Sequence, residues 1–221
     1  MVTRKQFRGC IQRGKEESPE FQQACRMAEA AAEELVKEGA LLTASLYRHG
    51  NMCFLYEEVL AGEVKPENYL KALEPFLESW PEEDGNTVWA PMYAIYWHSV
   101  PGDSGSWEKN RAGKKHRVGR IAFLYPEKLF SYTYWHHAIV EEGLLLGDQY
   151  QFISLHENIL FSYFEEPRQM VNIKNRQEPS RTIDGWMAAD PESHFDRKKA
   201  GGDNFLIIES LLSVGKGDHL C

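Results

Sequence analysis

Two stretches of the chain are almost alike, and they lie nearly half its length apart. The first is His49-Gly50-Asn51-Met52-Cys53-Phe54-Leu55-Tyr56, and the second is His156-Glu157-Asn158-Ile159-Leu160-Phe161-Ser162-Tyr163. His, Asn, Phe and Tyr recur at one fixed offset of 107 residues, from 49 to 156 and from 56 to 163. An internal repeat of this length predicts two copies of one supersecondary unit. The alternative is that two β-hairpins converged on a similar turn.

Each half of the chain shows the same order of predicted elements, βαββαβ. Ser18 suits the N-cap of the first helix, Pro19 its first position, and Gly39 its C-terminal cap. Alternation and turn residues predict the other elements. Strands are predicted at 7–12, 41–47, 52–59, 88–100, 118–125, 150–155, 159–165 and 205–214, and later helices at 66–80, 126–142 and 180–189.

Twice βαββαβ predicts an α+β protein with two tandem ferredoxin-like repeats. The open sheet face of each repeat needs a cover, and a second sheet provides one. We therefore expect a fused, pseudo-twofold dimeric α+β-barrel, in which the halves pair as two subunits would. Residues 101–116, PGDSGSWEKNRAGKKH, have the composition of a linker between repeat 1 at 1–100 and repeat 2 at 117–221.

Composition and charge exclude several classes of function. The net charge of −8 argues against nucleic acid as a partner, because phosphate binding needs a basic face. No apolar run approaches the roughly 20 residues of a membrane span, and the first residues lack the apolar stretch of a signal peptide. The four cysteines form no CxxC pair, so we expect free thiols, no metal site and a cytoplasmic location.

The first helix of the second half carries an unusual apolar stripe. Leu129, Tyr132, His136 and Ile139 fall on one helix face, which places a His and a Tyr toward the sheet. The offset of 107 carries His136 back to Glu29, so the first half does not copy this feature. One inward His suggests one site per chain. The alternative is a core His that hydrogen-bonds a backbone carbonyl.

Two motifs of the second half resemble the L-rhamnose mutarotase family, a dimeric α+β-barrel group. The helix motif is Tyr132-Thr-Tyr-Trp-His136-His-Ala-Ile139, and the strand motif is Asn158-Ile-Leu160-Phe161-Ser-Tyr163-Phe-Glu165. The resemblance covers residues 118–214, with a degenerate copy in the first half. The sequence departs from the family after His136, where Val140-Glu141-Glu142 replaces a Pro- and Trp-containing tail.

The resemblance implies a sugar isomerase that interconverts anomers by general acid/base catalysis without a cofactor. It makes His136 the acid/base, because a His titrates near neutrality. It makes Tyr132 the residue that orients His136 or shares its proton. It places Trp186, Tyr163 and His137 in contact with a small-molecule substrate, possibly a monosaccharide.

Several other polar residues are predicted to be structural. His49, Asn51, His156 and Asn158 lie at matching turns, where Asn is favoured. Glu57, Glu58, Glu165 and Glu166 end strands and are expected to be solvated.

Two further functions stay open at this point. One is a cofactor-free α+β-barrel monooxygenase, which would need a buried aromatic pocket and a small activated substrate. The other is a non-catalytic small-molecule-binding module, which predicts a filled space around His136. The fold alone cannot choose among these functions, because it hosts many chemistries. The oligomeric state stays open as well.

Overall fold

The chain folds into two compact units. The computed structural model describes residues 1–60, 62–82, 85–109, 111, 116–143, 146–172 and 177–218. Unit 1 comprises Met1–Met92, Pro101–Lys114 and Glu209–Cys221, and unit 2 comprises Tyr93–Val100 and Lys115–Ile208. Each unit therefore contains segments from both halves of the sequence.

Helices and strands alternate along the described chain. As far as Lys109 they are β1 (Thr3–Cys10), α1 (Pro19–Lys37), β2 (Leu41–His49), β3 (Met52–Val59), α2 (Pro66–Tyr69), β4 (Trp80–Glu82), β5 (Gly85–Thr87), β6 (Ala90–Pro91), β7 (Tyr93–Trp97) and α3 (Ser104–Lys109). They continue as β8 (His116–Phe123), α4 (Leu129–Glu142), β9 (Gly147–Asp148), β10 (Phe152–His156), β11 (Ile159–Glu166), β12 (Met170–Val171), α5 (Arg181–Ala188), β13 (Leu206–Ile207) and β14 (Glu209–Gly215). Short 3₁₀ turns cover Lys71–Phe76, Pro126–Lys128 and Pro191–His194.

Each unit is built around one five-stranded antiparallel sheet. The order is β14-β2-β3-β1-β6 in unit 1 and β13-β8-β11-β10-β7 in unit 2. Both sheets place the strands of one repeat in the order fourth, first, third, second, and then add a fifth strand at the edge. The predicted α+β class with two tandem ferredoxin-like repeats is confirmed.

The closing strand of each repeat is divided between the two sheets. In the first repeat β6 pairs with β1, and the Met92 backbone N–H donates to Gln6 O at 3.0 Å. From Tyr93 onward the same segment is β7 of unit 2. The second repeat behaves alike, because Ile208 N–H donates to Gly119 O at 3.0 Å before the chain enters unit 1 as β14.

This division changes two expectations. The predicted strands 88–100 and 205–214 are each interrupted, at Met92 and at Ile208. The predicted repeats 1–100 and 117–221 follow the order of the sequence, whereas the compact units exchange the segments Tyr93–Val100 and Glu209–Cys221. Hydropathy patterns do not show which sheet a strand joins, so the exchange left no signal in the sequence.

The repeated turns have equivalent geometry. Gly50 has a φ of 58° and Glu157, its counterpart at the offset of 107, has a φ of 54°. The carbonyl of Asn51 accepts from Ile11 N–H at 2.6 Å, and the carbonyl of Asn158 accepts from Leu124 N–H at 2.9 Å. Each turn thus fixes the end of its repeat's first strand, which gives these Asn residues a structural role.

The first helix follows its sequence signals, whereas the second does not. Ser18 Oγ accepts from Phe21 N–H, Pro19 opens α1, and Gly39 follows its end with a φ of 76°. The predicted helix 66–80 is instead α2, a 3₁₀ turn and strand β4. Pro75 lies inside this segment and lacks the N–H that a continuous α-helix would use there.

The predicted linker contains a docked helix, and the acidic residues of the strands are not solvated. Trp107 of α3 is buried, and its Nε1–H donates to Glu58 Oε1 at 3.1 Å. Arg111 donates to both Glu58 oxygens at 2.7 and 2.8 Å. Glu57, Glu58 and Glu165 are each 0% exposed, and Glu166 is exposed as predicted. The rest of the linker prediction, at 110 and 112–115, lies outside the described residues.

Within the described part of the chain, no helix is both long and apolar enough to cross a membrane. This finding agrees with the absence of a long apolar run in the sequence.

We predict that Gly185→Ala destabilises the protein by roughly 1–3 kcal/mol, the usual cost of overpacking. A Cβ at Gly185 on α5 would lie 2.5 Å from the Trp135 ring on α4, so the two helices would have to separate. Urea unfolding measures the change in free energy. Gly102→Ala is the matched control, because a Cβ there meets nothing within 4 Å. Equal midpoints for the two variants would contradict the packing described here.

Candidate functional site

The candidate site lies between the helices and the sheet of unit 2. The Glu142 carboxylate at the end of α4 accepts from Ser180 Oγ at 3.1 Å and from Thr182 N–H at 2.9 Å. Since Ser180 is also the N-cap of α5, this carboxylate fixes the two helices at one end. The close approach of Gly185 to the Trp135 ring fixes them further along.

Three residues predicted from the sequence do meet in this layer. The His136 ring stacks on the Tyr132 ring, with centroids 3.9 Å apart and planes at 17°. Trp186 of α5 meets both rings edge-on, at 5.3 Å from His136 and 5.6 Å from Tyr132. Tyr96 of β7 closes the cluster at 6.0 Å from His136.

The hydrogen bond of His136 fixes its tautomer. Nδ1 lies 2.8 Å from the backbone carbonyl of Tyr132, and a carbonyl can only accept, so Nδ1 carries the proton. Nε2 is therefore an acceptor, and no described residue donates to it. Burial lowers the pKa of His136 to about 4, against a weaker opposing effect of this backbone hydrogen bond. His136 is consequently a neutral imidazole at pH 7.

The other two predicted residues lie elsewhere in the unit. Tyr163 is on β11, where Leu160 and Ser162 face the helices, so its side chain is on the opposite face of the sheet. Its hydroxyl donates to Glu165 at 2.8 Å. His137 contacts Tyr93 and Trp97, at 5.6 and 6.3 Å, rather than the cluster of His136.

The helix side of the sheet also contains a cation that we did not predict. Arg120 Nε donates to Ser162 Oγ at 3.3 Å, and its guanidinium lies 4.2 Å from the centre of the Phe205 ring and 5.2 Å from that of Phe164. Burial lowers the pKa of Arg120 to about 10, and the Arg168 guanidinium adds to this shift. Arg120 therefore stays charged at neutral pH, without an ion pair to any described carboxylate.

The neighbouring cation is balanced, which isolates Arg120. Arg168 forms an ion pair with Asp148 at 3.2 Å, and Asp148 is 2% exposed. The Tyr132 side chain is close enough for Arg120 to act on its pKa, although burial, the larger effect, raises that pKa above its ordinary value. Among the described residues, no hydrogen bond from the Tyr132 hydroxyl is formed. The layer thus combines a buried positive charge, a phenol and a neutral imidazole.

Arg120 could have been suspected from the sequence. It stands in a strand on the same face as Ala122 and Leu124, where alternation predicts an apolar residue. The residues His194 and Ser131, which also border this layer, gave no such signal. The described residues hold no group of three or more His, Cys, Asp or Glu side chains suited to a metal ion.

No family model matches the chain, and no curated protein matches it. Two solved structures similar to it are each described as a "putative monooxygenase". One, from Fusobacterium nucleatum subsp. nucleatum ATCC 25586, has 10% identity and a TM-score of 0.42, over 98% of this chain and 94% of that one. The other, from Lactobacillus acidophilus NCFM, has 6% identity and a TM-score of 0.43, over 98% and 97%. A mutant chlorite dismutase from Candidatus Nitrospira defluvii has 11% identity and a TM-score of 0.36, over 95% and 90%.

The predicted resemblance to the rhamnose mutarotase family is wrong, and so is the predicted mutarotase activity. The matching structures carry monooxygenase and chlorite dismutase descriptions instead. The residues around His136 give the physical reason. A sugar needs many hydrogen-bonding partners, whereas His136 is surrounded by the rings of Tyr132, Trp186 and Tyr96. The possible monosaccharide substrate falls with the activity.

We predict that His136 makes the protein less stable in acid. Its folded pKa of about 4 lies below the model value of 6.5, so the unfolded chain binds more protons below pH 6.5. Stability is full above pH 6.5 and falls as the pH drops toward 4. The expected loss between pH 7.5 and 5 is about 1–2 kcal/mol. Urea unfolding of the protein and of His136→Gln measures it.

The exposed His116, which is 76% accessible at its side chain, provides the control variant His116→Gln. We expect His136→Gln to flatten the dependence on pH and His116→Gln to leave it unchanged. An unaltered slope in His136→Gln would show that His136 titrates normally.

Proposed function

We propose that unit 2 binds a small aromatic molecule by an acidic oxygen and is a cofactor-free monooxygenase acting on it. The observation that carries this proposal is Arg120, a buried guanidinium without a carboxylate partner among the described residues. A buried charge is costly unless it is paired. An anionic oxygen of a ligand, such as a phenolate or an enolate, would pair with Arg120 through charge-assisted hydrogen bonds.

The surroundings of Arg120 favour an aromatic ligand. The two phenyl rings beside its guanidinium, Phe164 and Phe205, and the ring of Tyr132 supply apolar faces and edges. Aromatic rings pack against one another in offset or edge-on arrangements, which adds to the energy of burial. A ligand with one acidic oxygen and a flat apolar body matches both features of the layer.

The proposed chemistry uses two groups already described. His136 Nε2 accepts a proton from the hydroxyl or activated C–H group of the substrate, since it is unprotonated at neutral pH. Arg120 stabilises the resulting anion, and its charge also raises the acidity of the substrate. The negative charge that forms on the substrate would in turn favour protonated His136.

The anion is the species that reacts with dioxygen. For a substrate with an activated methylene group, the net reaction is R–CH₂–R′ + O₂ → R–CO–R′ + H₂O. One oxygen atom enters the product, the other leaves as water, and the substrate supplies both hydrogens and the four electrons. Tyr132 and Trp186 exclude water from His136 and position the ring of the substrate.

A second candidate function, binding without turnover, has one observation in its favour. The His136 ring stacks directly on Tyr132 at 3.9 Å, so a substrate must displace or slide past these rings to reach Nε2. A module of this kind would still use Arg120 to hold an anionic ligand. The two functions differ in oxygen consumption and agree in binding.

The test measures oxygen uptake with an electrode and binding by tryptophan fluorescence, on naphthols, anthrone and 1,3-diketones. We expect uptake with at least one of these compounds and a loss of roughly 10²–10³-fold in Arg120→Met, the usual effect of removing an anion-stabilising group. Arg26→Met is the matched control, because Arg26 is exposed and bonds only to Gln23 on α1.

Binding that depends on Arg120 without any oxygen uptake would favour the non-catalytic module. Neither uptake nor binding across the panel would contradict the proposed site altogether. Uptake that persists in Arg120→Met would place the reaction elsewhere in the chain.

A further inference from the structure

Ser131 and His194 form a hydrogen-bonded pair that the proposed oxygenase chemistry does not use. Ser131 is on α4 and His194 ends the 3₁₀ turn Pro191–His194, with Ser131 Oγ 3.0 Å from His194 Nε2. His194 Nδ1 lies 3.1 Å from the backbone carbonyl of Asp190. That carbonyl can only accept, so Nδ1 carries the proton and Nε2 accepts from the Ser131 hydroxyl.

This arrangement has the parts of an activated nucleophile. A hydroxyl is weak by itself and becomes reactive when a base within hydrogen-bonding distance removes its proton. Here the base is His194, and the carbonyl of Asp190 holds its tautomer and orientation. The His194 ring is also fixed by Trp186, at 4.8 Å, and it is 1% exposed.

The residue that orients His194 has an unusual backbone conformation. Asp190 has a φ of 53°, in the left-handed region that residues other than Gly seldom adopt. Its carbonyl accepts from His194 Nδ1, from Ser193 N–H at 3.1 Å and from Ser193 Oγ at 2.8 Å. Backbone strain of this kind persists where the surrounding structure holds it, and it is concentrated at functional sites.

A positive charge and an open apolar surface lie beside the pair. Lys128 is three residues before Ser131, on the neighbouring helical turn, and its Nζ is 3.3 Å from Ser193 Oγ. Ser131 itself is partly exposed, so a molecule in solution can reach its hydroxyl. The adjacent Phe130 is 89% exposed and offers an apolar contact.

We propose that Ser131 is a nucleophile that accepts the acyl group of a small apolar ester, with His194 as its general base. Ser131 Oγ forms a bond to the ester carbonyl carbon while its proton passes to His194 Nε2. The bond from that carbon to the alcohol oxygen then breaks, and His194 returns the proton to the departing alcohol. Lys128 stabilises the negative charge that develops on the carbonyl oxygen. Water completes hydrolysis by the same route.

The test uses a fluorophosphonate probe, which reports a base-activated serine by forming an O–P bond as fluoride leaves. We expect intact-mass analysis and peptide mapping of the full chain to find one label, on Ser131. In Ser131→Ala the label disappears. In Lys128→Met labelling slows at least tenfold, while the circular dichroism spectrum is unchanged. Ser79→Ala, at an exposed serine of unit 1, is the matched control and keeps full labelling.

His194→Gln should lose labelling as well, and Lys128→Met keeps the proposal testable if that buried substitution prevents folding. A hydroxyl that only satisfies a buried imidazole would remain unlabelled under conditions that modify a reference serine esterase. Absence of label on Ser131, or equal labelling of Ser131 and other serines, would overturn the proposal. Neither result bears on oxygen uptake through Arg120.

Discussion

The division of each closing strand at Met92 and Ile208 is the constraint on which the rest of the structure depends. A backbone that pairs with one sheet for two residues and then with another needs an edge strand ready to receive it. The incoming strands β7 and β14 occupy the edges of β10 and β2, which would otherwise expose unpaired backbone groups. Segments distant in sequence are thereby fixed in one unit.

This exchange also supplies part of the candidate site. Tyr96, which faces His136 at 6.0 Å, belongs to the first half of the sequence but to the sheet of unit 2. The same strand carries Tyr93 and Trp97, the rings that contact His137. Mutations in the first repeat can therefore alter the site of the second, without any change in the repeat that carries Arg120 and His136.

The two units share a scaffold and differ in the residues between helices and sheet. In unit 1 the cross-strand pair at the relevant position is Phe7 with Leu55. In unit 2 the pair is Arg120 with Ser162, where Ser162 is the counterpart of Leu55 at the offset of 107. A polar pair has thus replaced an apolar one in a buried layer, and burying polar groups costs stability unless they find partners. This asymmetry agrees with a function located in unit 2.

Unit 1 has its own buried polar group at the equivalent layer. Glu57 is the counterpart of Phe164, and its Oε2 accepts from the Tyr69 hydroxyl at 2.7 Å. Burial raises the pKa of Glu57 to about 7, so this carboxyl is partly protonated near neutrality. Its other oxygen is buried without a hydrogen bond among the described residues. The two copies therefore diverged in charge as well as in shape.

Features set by local chemistry could be predicted from the sequence. The cap residues Ser18 and Gly39 fixed the ends of α1, and the repeated turns preserved both their position and their backbone conformation. The helical spacing of Tyr132 and His136 correctly brought these rings together. Each of these features depends on neighbours within a few residues, which is the distance over which sequence patterns are informative.

Features set by long-range pairing could not be predicted. Glu58 resembled a solvated strand end, and its burial depends on Trp107 and Arg111, which are about fifty residues away. Tyr163 matched a family motif, yet the alternation of β11 places it on the face away from His136. The resemblance itself rested on short motifs of this kind, which similar folds can share without sharing an activity.

The most direct test of the central claim is a crystal structure of the protein soaked with 4-nitrophenolate. The account predicts the phenolate oxygen about 3 Å from the guanidinium of Arg120, the usual distance of a charge-assisted hydrogen bond, with the ring against Phe164 or Phe205. A crystal of Arg120→Met should then show no ligand there. Phenolate bound only at other places in the wild-type crystal, with Arg120 unchanged beside Ser162, would contradict the account.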